Sequence, residues 1–200
     1  MNASYVLVGS LLAPLVHLDR MAGMAVVYLL AVGVSAHALD AMAPNKPWGN
    51  FLTKRQLLGL AVGGLVPALA LGLYYAILLA PILIPIGLLE LFFLIAYNLE
   101  SFGGRFHSDF WFSFSWGFLP VLAGYAVQTD TISVVSLAGG TFGFFSALVE
   151  ISASRPYKAL KKDPATAESA LASKFEAVLK GIVASVVSVA IFLLALVLTR

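Results

Sequence analysis

The sequence predicts an all-α membrane protein, a single transmembrane bundle of about seven helices that occupies residues 1–200. Hydrophobic residues make up 60% of the chain and charged residues only 11%, whereas a soluble domain carries about 25% charged residues. Apolar runs of about 20 residues, the length that crosses the hydrocarbon core of a bilayer, recur between short polar turns. These runs are expected to be helices, because lipid offers no partners to backbone N–H and C=O groups.

Seven apolar runs are predicted to be spans, at residues 4–17, 21–42, 56–80, 82–98, 110–128, 131–150 and 179–199. The first run is short for a span and ends at His17. Pro81 and Pro85 separate the third run from the fourth, because proline interrupts a continuing helix. Residues 151–176 form the one extended segment that is expected to face water.

Stripes of small residues occur in the third and sixth runs, at Gly59, Gly63 and Gly64 and at Gly139, Gly140 and Gly143. Such stripes allow helices to approach closely in a membrane, which is the interpretation favoured here. The other interpretation is that they line a substrate channel.

The basic residues predict the orientation of the bundle. Ten of them fall in or beside the loops between runs two and three, four and five, and six and seven: Lys46, Lys54, Arg55, Arg105, Arg155, Lys158, Lys161, Lys162, Lys174 and Lys180. With seven spans these loops share one face, which is therefore cytoplasmic, and only Arg20 and Arg200 lie on the other face. The chain is predicted to be a multi-pass protein of the cell membrane with a cytoplasmic N-terminus.

Composition argues against several classes of function. The chain has no cysteine, which excludes disulfides, thiolate metal ligands and a cysteine nucleophile. A net charge of +2 is too small to indicate a nucleic-acid partner. The hydropathy pattern shows no inverted repeat of the kind on which many secondary transporters are built.

Polar residues in or beside apolar runs need an explanation, because a charge at a helix centre costs about 2.5–3.5 kcal/mol on insertion. Glu90 lies near the middle of the fourth run, so it is expected to face the bundle interior, either in a structural hydrogen bond or lining a cavity. Three groups follow the ends of runs two, four and six: His37 and Asp40; Tyr97, Asn98, Glu100, Arg105, His107 and Asp109; and Glu150, Ser154, Arg155 and Lys158. Each group alone is explained by capping, ion pairs or flanking charges. Together, the three helix ends are expected to surround a single cavity mouth.

The order and spacing of these groups resemble the UbiA-type intramembrane prenyltransferase superfamily. That family has aspartate-rich motifs at the cytoplasmic ends of its second and sixth helices, and a Tyr-x-x-x-Lys motif after its fourth. The corresponding positions here are residues 36–40, 150–154 and 97–101, and residues 115–125 resemble the family's fifth helix. Asp40 and Glu150 keep an acid, whereas other motif positions have changed: His37, Pro44, Ser101 and Ser154.

The resemblance implies a UbiA-like fold and an integral-membrane prenyltransferase. Such an enzyme moves an isoprenoid chain from a prenyl diphosphate to a lipophilic acceptor, with Mg²⁺ as cofactor. By the same resemblance Asp40 and Glu150 are the candidate catalytic and metal-binding residues, with His37 as a further metal ligand. The candidate diphosphate-binding residues are Arg105, Arg155, Lys158, Tyr97 and Asn98. Glu90 is a candidate cavity-lining residue.

Two alternatives stay open at this point. The changed motif residues, and a chain that has about seven spans where the family has eight or nine, favour a non-catalytic UbiA-like membrane subunit or lipid-binding scaffold. In either case a second copy of the chain or a partner subunit is expected to complete the bundle. A different metal site, built from His37, Asp40, His107 and Asp109, is the other alternative.

Overall fold

The computed structural model describes residues 2–42 and 51–199. Within these ranges the regular structure is entirely helical, which confirms the all-α class. The seven helices are α1 (Asn2–Leu11), α2 (Leu18–Asp40), α3 (Lys54–Leu78), α4 (Leu83–Asn98), α5 (Asp109–Thr129), α6 (Val134–Lys162) and α7 (Ala170–Leu198). Pro44 and Lys46, which entered the motif comparison and the orientation argument, lie outside the described residues.

Five of the seven helices, α2, α3, α5, α6 and α7, are long and apolar enough to cross a membrane. The other two are shorter, with 10 residues in α1 and 16 in α4. Large apolar side chains are exposed along the outer faces, including Leu73 and Ile77 on α3 and Ile191 and Phe192 on α7. Water does not favour such surfaces, so they fit contact with lipid.

The segment between the sixth and seventh predicted spans is more helical than the hydropathy pattern indicates. Helix α6 continues from Glu150 to Lys162, and α7 begins at Ala170, where the Ser169 hydroxyl accepts a hydrogen bond from the Ala172 N–H. Hydropathy falls after Glu150 because charged residues begin there, but a helix does not need an apolar surface to continue. The connection that lacks regular helix is therefore only residues 163–169.

Helix starts follow from capping residues that the sequence provides. Thr53 accepts a hydrogen bond from the Gln56 N–H at 3.3 Å, and the Gln56 side chain accepts one from the Thr53 N–H at 2.9 Å. Ser133 and Ser136 form the same reciprocal pair at the start of α6. These capping boxes satisfy N–H groups that the first turn of a helix leaves without partners.

Helix α5 lies at the centre of the bundle, and each residue from Leu119 to Gln128 is buried. It packs most extensively against α6 and α1, and it also contacts α2 and α4. Gly9 and Gly124 make the α1–α5 approach possible, because a Cβ at either would collide with a backbone carbonyl of the other helix. Gly117 and Gly143 do the same between α5 and α6.

The predicted glycine stripes contribute to packing unequally. Gly64 touches α2, and Gly139, Gly140 and Gly143 meet α1 or α5. Gly59 and Gly63 face open space. Part of each stripe therefore supports close packing, as expected for small residues in membrane helices.

Polar contacts tie the turns together at one end of the bundle. Gln128 accepts a hydrogen bond from the His17 N–H at 2.7 Å and donates one to the His17 carbonyl at 3.2 Å. The Asp130 carboxylate accepts a hydrogen bond from the Ile82 N–H at 3.0 Å, at the start of α4. These hydrogen bonds join the α1–α2 turn to the end of α5, and the α5–α6 turn to the start of α4.

Helices α2 and α5 each contain a π-helical stretch, at Leu29–Ala36 and Phe114–Phe118. The wider turn leaves carbonyls for side chains to bind, and Ser35 Oγ donates to the Leu30 carbonyl at 3.0 Å. π-helical turns are frequent at functional sites. Both stretches face the cavities described next.

Candidate functional site

A cavity of about 310 Å³ lies where the C-terminal parts of α2, α4 and α6 meet the first turns of α1 and α5. We name it the polar cavity. Seven of the nine predicted site residues line it: His37, Asp40, Tyr97, Asn98, Glu150, Arg155 and Lys158. The expectation that the ends of the even-numbered spans surround one cavity agrees with this placement.

The positive charge of the polar cavity comes from α6. Arg155 pairs with Asp109 at the start of α5, with 3.0 Å between Nη1 and Oδ1. The two side chains are 44% and 38% exposed, although Asp109 Oδ1 itself is buried, so solvent screens the pair in part and its contribution to stability is small. Lys158 lies almost one turn further along α6 and is exposed. Because the ion pair with Asp109 is weak, Arg155 can leave that carboxylate and bind a phosphate group instead.

The α4 wall of the cavity is fixed by aromatic stacking. The Tyr97 ring stacks on His107 with 4.3 Å between ring centroids, and His107 Nδ1 lies 3.0 Å from the Tyr97 carbonyl. Asn98 donates its side-chain amide to the Leu94 carbonyl at 2.7 Å, which leaves its Oδ1 for a ligand. The loop that brings His107 back contains two non-glycine residues at positive φ, Glu100 and Phe102. Such conformations are costly and cluster at functional sites.

His37 has a structural contact that the sequence did not indicate. Its Nδ1 lies 2.8 Å from the Val32 carbonyl, five residues earlier in the π-helical stretch of α2. The ring of His37 thus binds the local backbone. Only Nε2 is left to face a ligand.

Asp40 and Glu150 both line the polar cavity, from α2 and α6. Among the described residues, no three His, Asp or Glu side chains are grouped closely enough to hold a metal ion. His37, Asp40 and Glu150 therefore do not form a three-ligand site. Nor does the alternative set that adds His107 and Asp109 to His37 and Asp40. Mg²⁺ beside phosphate groups often takes one or two carboxylates and completes its shell with phosphate oxygens and water, and carboxylate oxygens of the kind that Asp40 and Glu150 carry are the ligands it prefers.

A second cavity, of about 370 Å³, lies between α2, α3 and α4. We name it the apolar cavity, because apart from Tyr28, Glu90 and Trp116 its lining is made of apolar side chains and glycine. Leu73 and Leu88 stand at its exposed rim, so it is open towards the lipid-facing side. Val32 and Trp116, one from each π-helical stretch, line both cavities. The two cavities therefore adjoin at these residues.

Two of the predicted site residues lie away from the polar cavity. Glu90 lines the apolar cavity, where its Oε1 accepts a hydrogen bond from the Tyr28 hydroxyl. Arg105 is exposed in the loop after α4 and is not among the residues that line either cavity. Nearness in sequence to Tyr97 therefore did not place Arg105 at the site.

Sequence reasoning missed the residues that join the cavities. Trp116 was placed on a helix that resembles the family's fifth, and Val32 appeared as one more residue of an apolar run. No signal in a single sequence marks a π-helical stretch. The sequence feature that comes nearest to such a signal is Ser35 and Ser115, whose hydroxyls each donate to a carbonyl of the preceding turn.

Comparison of the chain with protein-family models, with curated proteins and with solved structures found no match in any of the three. The resemblance to UbiA-type prenyltransferases thus stays a prediction that rests on the motif positions around Asp40, Tyr97 and Glu150. Function has to be argued from the two cavities.

Proposed function

We propose that the chain is an integral-membrane prenyltransferase of the UbiA type, which binds a prenyl diphosphate across the two cavities. The proposal rests on one observation: the two cavities adjoin at Val32 and Trp116. A polar cavity with basic side chains suits an anionic head. An apolar cavity of several hundred Å³, open towards lipid, suits a hydrocarbon chain.

In this proposal the residues of the polar cavity serve the departing diphosphate. The bond between the allylic carbon and the diphosphate oxygen breaks, the electron pair leaves with the oxygen, and the acceptor attacks the carbon and then loses a proton. Arg155 and Lys158 offset the charge that develops on the diphosphate, as preorganised cations do for phosphoryl groups. Mg²⁺ held by Asp40 and Glu150 would supply further positive charge to the same oxygens. Tyr97, fixed by its stack on His107, would limit the position of the head group.

The test is binding of geranylgeranyl diphosphate to the full chain in lipid nanodiscs, with and without Mg²⁺. We expect Mg²⁺ to tighten binding by the wild-type chain about tenfold, and Asp40→Asn with Glu150→Gln to abolish that tightening. Glu176→Gln is the matched control, because Glu176 pairs with Lys180 on α7 and does not line the polar cavity. Absence of binding by the wild-type chain, or a double variant that binds like it, overturns the proposal.

A second candidate function is a lipid-binding subunit that has lost the chemistry. The observation that favours it is the absence, among the described residues, of any three-ligand acidic cluster. It predicts that the chain binds geranylgeraniol and its diphosphate equally, with no effect of Mg²⁺ and no release of diphosphate. Release of diphosphate in the presence of a lipophilic acceptor would rule it out.

The same proposal includes the finer topology: seven spans, a cytoplasmic N-terminus and the polar cavity on the cytoplasmic side. Because the chain has no cysteine, single cysteines can be introduced without a background. We expect Thr131→Cys, in the α5–α6 turn, to react with a membrane-impermeant maleimide in intact cells. Ala165→Cys, in the α6–α7 turn, should react only after permeabilisation. The opposite pattern would place the polar cavity outside.

A second copy or a partner subunit that completes the bundle stays a prediction. Helix α7 packs against α6 and α1 and leaves its other faces exposed. The mass of the protein in a nanodisc, at a high ratio of discs to chains, separates a monomer from a stable dimer.

A further inference from the structure

The apolar cavity contains one polar pair, Tyr28 from α2 and Glu90 from α4. Tyr28 is buried, at 4% exposure, and its hydroxyl donates to Glu90 Oε1. The other carboxyl oxygen, Oε2, accepts no hydrogen bond from the residues that the structure describes. A carboxyl oxygen held among apolar side chains without a partner is costly, so this oxygen marks a place that a ligand can satisfy.

The direction of the Tyr28–Glu90 hydrogen bond determines what the ligand must offer. With Tyr28 as the donor to Oε1 and Glu90 as the ionised carboxylate, the pair presents acceptors only: Oε2 and the lone pairs of the Tyr28 oxygen. A ligand that carries only acceptors gains nothing there. A ligand that carries a hydroxyl or an amine on an apolar body can donate to the pair.

The position of the pair separates it from the diphosphate-binding end. Glu90 and Tyr97 both lie on α4, seven residues apart, which is about 10 Å along the helix axis. Tyr97 lines the polar cavity and Glu90 the apolar cavity. The pair therefore meets a different group from the anionic head, either elsewhere on the same molecule or on a second one.

We propose that Glu90, positioned by Tyr28, is a binding site for the hydroxyl or amine of a lipophilic ligand in the apolar cavity. The inference goes beyond the proposed function and does not depend on it. The site itself is defined by the apolar cavity alone. Its test can therefore succeed or fail independently of diphosphate binding.

The test compares 1-dodecanol, dodecylamine and dodecyl methyl ether as ligands of the full chain in lipid nanodiscs, with binding measured by native mass spectrometry. The ether has nearly the shape of the alcohol but no hydrogen to donate. We expect the wild-type chain to bind the alcohol or the amine about tenfold more tightly than the ether. The tighter of the two identifies the donor group of the natural ligand.

Two variants separate a binding role from a structural one. Glu90→Leu should reduce the preference over the ether to less than twofold. Tyr28→Phe should keep the preference or increase it, because it leaves both Glu90 oxygens free to accept. If Glu90→Leu does not fold, Glu90→Gln, which keeps one oxygen, should reduce the preference to about threefold.

A wild-type chain that binds alcohol, amine and ether equally would overturn the inference. So would a Glu90→Leu variant that keeps the full preference, or a Tyr28→Phe variant that loses it as completely as Glu90→Leu does. Asp40→Asn with Glu150→Gln is the cross-control. It should leave the preference for the alcohol unchanged while it weakens diphosphate binding, which distinguishes failure of this inference from failure of the proposed function.

Discussion

The two cavities adjoin but differ in almost every chemical respect. The polar cavity is lined by acids, bases and an amide that come from the ends of α2, α4 and α6. The apolar cavity, deeper along α2 and α4, has Tyr28 and Glu90 as its one polar pair. The change from one to the other occurs at Val32 and Trp116. A head that needs charge and a chain that needs hydrocarbon can therefore bind side by side, which is the arrangement an amphipathic lipid requires.

The difference also shows which kind of site a sequence reveals. Charged residues stand out in a chain with 11% of them, so seven residues of the polar cavity were named correctly as neighbours. The apolar cavity is built from Leu, Ile, Val, Ala and Gly, which occur everywhere in this chain. Glu90 alone marked it, because an acid in the middle of an apolar run has to be explained.

The largest effect is expected from replacing Trp116, which together with Val32 lines both cavities. Trp116→Leu should destabilise the bundle by about 2–3 kcal/mol, because Trp116 is only 6% exposed and its loss leaves a cavity. It should also weaken binding of both geranylgeranyl diphosphate and dodecanol. Phe93→Leu is the matched control: Phe93 is buried, at 3% exposure, but lines neither cavity. A Trp116 variant that affects only one ligand would mean that the cavities act separately.

The next prediction tests whether α5 holds both cavities in place through α1. Gly124→Ala should cost about 2 kcal/mol of unfolding free energy, because the new methyl group would meet the Val6 carbonyl. Gly59→Ala, whose methyl group would meet nothing, should be neutral or stabilising, since alanine favours helix over glycine. The measurement is the denaturation midpoint in detergent. Equal effects of the two substitutions would contradict the close α1–α5 contact.

Arg155 and Arg105, both predicted to bind diphosphate, are expected to differ in their effect on ligand binding. Arg155→Ala should weaken binding of geranylgeranyl diphosphate about tenfold, because a charge-assisted contact to phosphate is lost. Arg105→Ala should change it less than twofold, because Arg105 is exposed outside the cavity. A larger effect of Arg105→Ala would mean that the loop after α4 folds over the site when ligand binds.

The smallest effect comes from the ion pair at the cavity edge. Asp109→Asn should lower stability by less than about 1 kcal/mol, since the Arg155–Asp109 pair is wet. It should tighten diphosphate binding about threefold, because Arg155 would no longer have to break its ion pair with Asp109 before it contacts the ligand. Weaker binding would show that Asp109 positions Arg155 for the ligand.

Much of the fold was predictable from the sequence, because alternation of apolar runs with turns is a strong signal in lipid. The break between α3 and α4 and the turn between α5 and α6 fall where predicted, although Pro85 lies in the first turn of α4 and Thr129 is the last residue of α5. The continuation of α6 to Lys162 was not predictable, since hydropathy reports the end of an apolar surface and not the end of a helix. The α1–α5 contact was also missed, because Gly9 and Gly124 each stand alone and form no stripe.

The candidate site was predictable where residues follow helix ends and not where the backbone departs from α-helix. Asp40, Tyr97 and Glu150 come together because each lies near the end of an apolar run on the same side of the bundle, although α6 itself continues past Glu150. Arg105 does not join them, because it lies in the loop after α4, where Gly103 and Gly104 have positive φ and the chain is not helical in a regular way. Trp116 joins them because a π-helical stretch changes the direction of the side chains around it.

The central claim is that one amphipathic molecule occupies both cavities, and a structure of the protein with such a molecule tests it most directly. The measurement is a cryo-electron microscopy structure of the chain in nanodiscs with geranylgeranyl thiodiphosphate and Mg²⁺. The account predicts the diphosphate beside Arg155 and Lys158, and the hydrocarbon chain past Trp116 towards Glu90. A ligand whose chain lies along the outside of the bundle, with the apolar cavity filled by other lipid, would contradict it.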